Sequence, residues 1–171
     1  MIDAMNQEDI DHFITQAEEI LTLVKEGLLV NGITPPERSY VTIATEEETP
    51  HDDTDQLTVA VGMITPHYPE GQIPHARGQL NTRIGTFYIE LVRCTPKMGS
   101  IKGGAKKILP STEKMVEYGR LRLQEMAVLK DVCNTLLEGQ YDPLGRGMYT
   151  IAAGLDQGQA QAIKVTLQTV V

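Results

Sequence analysis

The sequence predicts an α+β domain in which two long helices pack on a largely antiparallel or mixed sheet of about five strands. A length of 171 residues suits one domain, here residues 1–171. Two segments carry apolar residues at helical spacing, and five short segments have β-branched or alternating patterns. The strands come in runs instead of alternating with helices, and their order α-β-β-β-α-β-β is typical of a sheet with limited parallel pairing.

The first predicted helix runs from about Gln7 to Val30. Its apolar residues recur at steps of three and four, which places them on one face. Asn31-Gly32 then favours a left-handed stop, and Pro35-Pro36 prevents the helix from continuing. The apolar face carries Ile10, Phe13, Ala17, Ile20, Leu21, Val24 and Leu28.

Three strands are predicted next, at Ser39–Ala44, Leu57–Ile64 and Arg83–Cys94. The first is short and β-branched, whereas the other two alternate between two faces. A single carboxylate inside a strand usually lies on the solvated face, and this is the interpretation for Glu90. The third strand directs Phe87, Ile89 and Leu91 one way, and Thr86, Tyr88 and Glu90 the other.

The second predicted helix begins after Ser111, a favourable N-cap, and continues to about Glu138, where Gly139 ends it. Two final strands are predicted at Gly147–Gly154 and Ala160–Val170, joined by a polar turn at 156–158. The apolar positions of the helix include Met115, Val116, Gly119, Leu123, Met126, Leu129, Val132, Cys133, Leu136 and Leu137.

Three segments show neither the helical nor the strand periodicity of apolar residues. The stretch 65–82 is rich in Pro and Gly, and loops of this length are often functional. An acidic segment at 46–55 is predicted to be a solvated loop. A basic loop at 95–110 has no acid, and we interpret it as a contact loop. The acidic residues are Glu46, Glu47, Glu48, Asp52, Asp53 and Asp55, and the basic ones are Lys97, Lys102, Lys106 and Lys107.

Composition narrows the classes of partner. The net charge of −8 argues against a general nucleic-acid binder, which needs a clustered cationic surface. No run approaches the roughly 20 apolar residues of a membrane span, and the acidic start is unlike a secretory signal. We therefore expect synthesis in a cytoplasm and no membrane partner. Cys94 and Cys133 both lie in apolar segments and are expected to be buried, reduced thiols.

The sequence contains no recognisable catalytic motif and no metal-ligand spacing. His12, His51, His67 and His75 lack the close spacing of structural zinc ligands. The segment 99–107 partly resembles a phosphate-binding loop, but Ala105 and Lys106 replace its required Lys and Ser/Thr. The sequence therefore predicts a protein that is not an enzyme and has no cofactor.

The order of elements resembles the tail terminators of long-tailed bacteriophages, the head-to-tail connector class, especially those of actinobacterial hosts. The resemblance covers about 5–171. It rests on the strand FYIELVRC (87–94) with Pro96 soon after it, and on Leu136-Leu137 before a final hairpin.

This resemblance implies a virion structural protein that forms a hexameric ring, caps the tail tube and joins the tail to the head. Its partners would be further copies of itself, the tail tube protein and a head-connector protein, and DNA would pass through the lumen without specific binding. We expect the basic lysines to contact partners and the acidic residues of 46–55 to face the lumen.

Three alternatives remain open at this point. The first is a neighbouring connector or neck ring protein. The second is a small cytoplasmic domain that binds a phosphate ligand through the basic loop, and the third is a host-interaction module that acts as a monomer.

Overall fold

The computed structural model describes residues 7–43, 55–66, 83–96, 99–100, 107–108, 110–138, 148–157 and 160–170. It is an α+β fold with two helices and a five-stranded mixed sheet, which confirms the predicted class and the order α-β-β-β-α-β-β. Two very short strands, β4 (Gly99–Ser100) and β5 (Lys107–Ile108), pair with each other within the segment predicted as a basic loop. The elements are α1 Gln7–Val30, β1 Arg38–Ile43, β2 Gln56–Pro66, β3 Arg83–Cys94, β4 Gly99–Ser100, β5 Lys107–Ile108, α2 Thr112–Leu136, β6 Met148–Gln157 and β7 Ala160–Val170.

The strands of the main sheet lie in the order β1-β2-β3-β7-β6. β1 pairs in parallel with β2, and the other pairs are antiparallel. The register brings apolar residues of neighbouring strands opposite one another: Val59 faces Ile89, which faces Val165. Because paired residues share a face, one side of the sheet is continuously apolar.

Both helices pack on this apolar face, α1 against β1 and β2 and α2 against β6 and β7. Burial of a large apolar side chain contributes about 1.5–3 kcal/mol, so this single layer accounts for most of the cohesion of the domain. The buried helix residues are Phe13, Ala17, Ile20, Val24 and Leu28 of α1, and Val128, Leu129, Val132 and Cys133 of α2.

The end of α1 confirms the predicted stop. Gly32 has a φ of 72°, a backbone conformation that residues with a side chain rarely adopt. Its backbone N–H donates to the carbonyl of Leu29 (3.0 Å), and Ile33 N–H donates to that of Leu28 (2.9 Å). These two bonds form a Schellman motif, and burial of Ile33 adds its usual apolar contact.

The hairpin of β6 and β7 differs from the prediction at its tip. Asp156 and Gln157 belong to β6 and pair with Gln161 and Ala160, whereas the sequence placed them in the turn. A polar residue can continue an antiparallel ladder because the backbone supplies the hydrogen bonds. The ladder therefore extends to Gln157 and Ala160.

The opposite face of the sheet combines polar residues with a small apolar cluster of Val92, Ala160 and Ala162, and its centre is buried. The prediction that Glu90 is solvated is wrong, because only 2% of it is exposed. β3 is the middle strand, so Glu90 stands between Thr58 on β2 and Lys164 on β7. Lys164 lies directly across from Glu90 in the register, and its Nζ lies over the Tyr88 ring, 5.1 Å from the ring centroid.

Candidate interaction surfaces

A buried cluster of ion pairs fixes α2 on the sheet. The Glu125 carboxylate, which is fully buried, accepts hydrogen bonds from Arg93 Nε (3.0 Å) and Arg122 Nη1 (3.2 Å). Arg93 also donates to Asp55 Oδ2 (3.1 Å) and to the Thr34 carbonyl (2.9 Å). Two guanidinium groups thus meet two carboxylates, and the charges balance.

Arg122 extends the cluster to two strands. Its Nη2 donates to the carbonyls of Leu91 on β3 (3.0 Å) and Gln161 on β7 (2.8 Å). Buried ionic groups need such saturated bonding, because an unpaired charge in the interior is costly. The cluster positions a helix and its charges are already paired within the chain, so we assign it a structural role.

The sequence carries a signal for this cluster, although none of its three central residues, Arg93, Arg122 and Glu125, was among the predicted site residues. Arg93 continues the alternation of Ile89 and Leu91 and so belongs to the apolar side of β3. A cation on the core side of a strand requires an acid nearby. Glu125 supplies it, three residues after Arg122 on the inner face of α2.

The predicted contact residues fall largely outside the described residues. Of the acidic group, Asp55 is described, and it is a partner of Arg93 and of the Cys94 backbone N–H (2.9 Å). Of the basic group, Lys107 lies in β5. Those that lie outside are Glu46, Glu47, Glu48, Asp52, Asp53, Lys97, Lys102 and Lys106.

The apolar residues of α2 are divided into a buried set and an exposed set. One set faces the core. The other set is exposed and lies on the N-terminal half: Met115 is 46% exposed, Val116 54% and Leu123 67%. Gly119 lies among them, and a Cβ added there would meet no atom within 4 Å. We call these three exposed residues the α2 ridge.

A second apolar surface lies at the β1 edge of the sheet. There a groove runs between α1 and β1, and its most exposed apolar residue, Ile43, is 65% exposed. β1 is an outer strand of the described sheet and pairs with β2 alone among the described strands. We call this surface the β1 groove, lined by Ile14, Glu18, Leu21, Val41, Thr42 and Ile43.

The described residues offer little reactive chemistry. Burial raises the pKa of the Cys133 thiol to about 12, which makes it a poor nucleophile, and desolvation raises the pKa of Tyr118. Cys94 is partly exposed rather than buried as expected. Within the described ranges, no three His, Cys, Asp or Glu side chains are grouped closely enough to hold a metal ion. Neither described helix is long and apolar enough to cross a membrane.

Comparison with protein-family models and with curated proteins finds no match to this chain. The surfaces described above are therefore the basis for a functional assignment.

Proposed function

We propose that this chain is a virion structural protein, the tail terminator of a long-tailed bacteriophage. Its ring, a hexamer, caps the tail tube and joins the tail to the head. The observation that carries the proposal is the presence of two apolar surfaces, the α2 ridge and the β1 groove, on a chain whose described residues already form a buried core.

Single exposed apolar residues are common on soluble proteins, but clustered ones mark interaction sites. The ridge belongs to α2, which packs on β6 and β7, and the groove belongs to the opposite half of the subunit at β1. Two different contact surfaces on one subunit support heterologous association, which closes into a ring when the rotation fits.

Charge is consistent with the proposed channel. DNA must slide through such a ring without adhering, and a net charge of −8 disfavours phosphate binding. In this proposal the acidic residues of 46–55 face the lumen, and the basic lysines contact the tail tube protein or the head-connector protein. The chain is made in the host cytoplasm, resides in the virion and catalyses no reaction.

The test is deletion of the gene from the phage genome that encodes it, with wild-type protein supplied in trans as the control. We expect filled heads without tails and tail tubes of uncontrolled length, and complementation should restore joined particles that contain the chain. Particles of normal tail length in the deletion, or virions that lack the chain, would contradict the proposal.

A further inference from the structure

We propose that the α2 ridge of one subunit docks in the β1 groove of a second copy of this chain. The inference rests on the self-assembly part of the proposed function, and it names the two surfaces that meet. It makes the contact head-to-tail, with a different surface contributed by each copy.

The α2 ridge and the β1 groove have matched residue spacing and opposite charge. On α2, Val116 is followed at four residues by Arg120 and at seven by Leu123. On α1, Ile14 is followed at the same intervals by Glu18 and Leu21. Residues at these intervals share a helix face. Each surface thus presents a charge between two apolar residues, and the charges are of opposite sign.

The α2 ridge and the β1 groove are also complementary in shape. Leu123 projects from the ridge with two thirds of its surface exposed, and the space at Gly119 lets another surface approach the helix closely. The groove is concave because side chains of α1 and β1 form its two walls. A convex apolar ridge and a concave apolar groove provide the complementarity that packed interfaces require.

Like charge disfavours pairing of two ridges. Arg120 adjoins Gly119 at the midpoint of the ridge, so a two-fold pairing centred there would bring two like charges together. Like charges across an interface are unfavourable, whereas the groove presents Glu18 to the same guanidinium.

Two blocked variants test this contact by mixing. Leu123→Asp blocks the ridge and Ile43→Asp blocks the groove, and each retains the other surface. Alone, each variant should lose self-association by about 30-fold or more, the level of an interface hot spot. Mixed, they should form one-to-one dimers and nothing larger, as measured by sedimentation velocity over a concentration series.

The matched control is Val30→Asp, an apolar position outside both surfaces that is more exposed (86%) than either test position, and this variant should associate like the wild type. Circular dichroism should show all three variants folded. Self-association of Ile43→Asp alone would overturn the proposal in favour of ridge pairing. A mixture that stays monomeric, or a wild-type chain that never associates, would overturn it as well.

A charge exchange provides the second readout. Arg120→Glu and Glu18→Arg should each weaken association by about tenfold, and the two together in one chain should restore it. If the wild type associates but these changes have no effect, the contact is wrong while assembly stands. Failure of the tail terminator proposal would be seen separately, as normal particles from the gene deletion.

Discussion

The two sides of α2 have similar amino acids and opposite environments. The inner side presents Leu129 and Cys133 to the core and Glu125 to two arginines. The outer side presents Val116 and Leu123 to solvent. By contrast, the buried residues of α1 form a single stripe at regular spacing. Apolar spacing therefore predicts a helix, whereas the packing of that helix on the sheet determines which of its apolar residues are buried in the core.

The largest effect is expected at the inner side of α2, from Glu125→Ala. The change leaves Arg93 and Arg122 buried without their shared carboxylate, and breaking a buried pair costs about 3–5 kcal/mol. Urea denaturation measures the loss in the free energy of unfolding. The control is Glu117→Ala, an exposed position on the same helix, which should change it by no more than about 0.5 kcal/mol.

A second pair compares the same substitution on the two sides. Leu129→Ala removes a fully buried side chain and should cost about 2–5 kcal/mol. Leu123→Ala on the ridge should stay within about 0.5 kcal/mol at concentrations where the chain is monomeric. Thermal and urea unfolding of both variants check the contrast, and equal losses would show that the ridge is part of the core.

The inner side also predicts a dependence on pH. The folded-state pKa of Cys133 is raised from 9.0 to about 12 by burial, so between these values the unfolded chain releases a proton that the folded chain keeps. The resulting stabilisation is complete below pH 9 and is lost as pH rises, by up to about 1.4 kcal/mol per unit. Cys133→Val should remove this component of the slope. An unchanged slope in urea titrations from pH 8 to 11 would contradict it.

The smallest effects concern two helical glycines. Gly119→Ala meets no atom and should stabilise the domain by about 0.5–1 kcal/mol through helix propensity. Gly27→Ala gains the same propensity, but its Cβ would lie 3.0 Å from Val128 Cγ1 at the contact of α1 with α2. The gain there should be smaller or reversed. Equal changes in melting temperature would mean that the two helices are not closely packed at Gly27.

Of the interaction surfaces, the sequence indicated the apolar residues but not their exposure. Met115, Val116 and Leu123 are apolar in the sequence, and helical spacing puts Val116 and Leu123 on a different side from Leu129 without showing which side is buried. Exposure depends on which side of α2 meets the sheet, and the cluster of Arg93, Arg122 and Glu125 helps to set that orientation. The groove depends on β1 being an outer strand, which pairing alone determines.

Local sequence patterns were enough to predict both bounds of α1 and of β3, the N-cap Ser111 of α2 and the α+β class. These follow from periodicity and capping, which act over a few neighbouring residues. Local patterns did not predict that β7 lies between β3 and β6, that β1 runs parallel to β2 or that Glu90 is buried. Those outcomes depend on the free energy of contacts between distant segments, which no local pattern records.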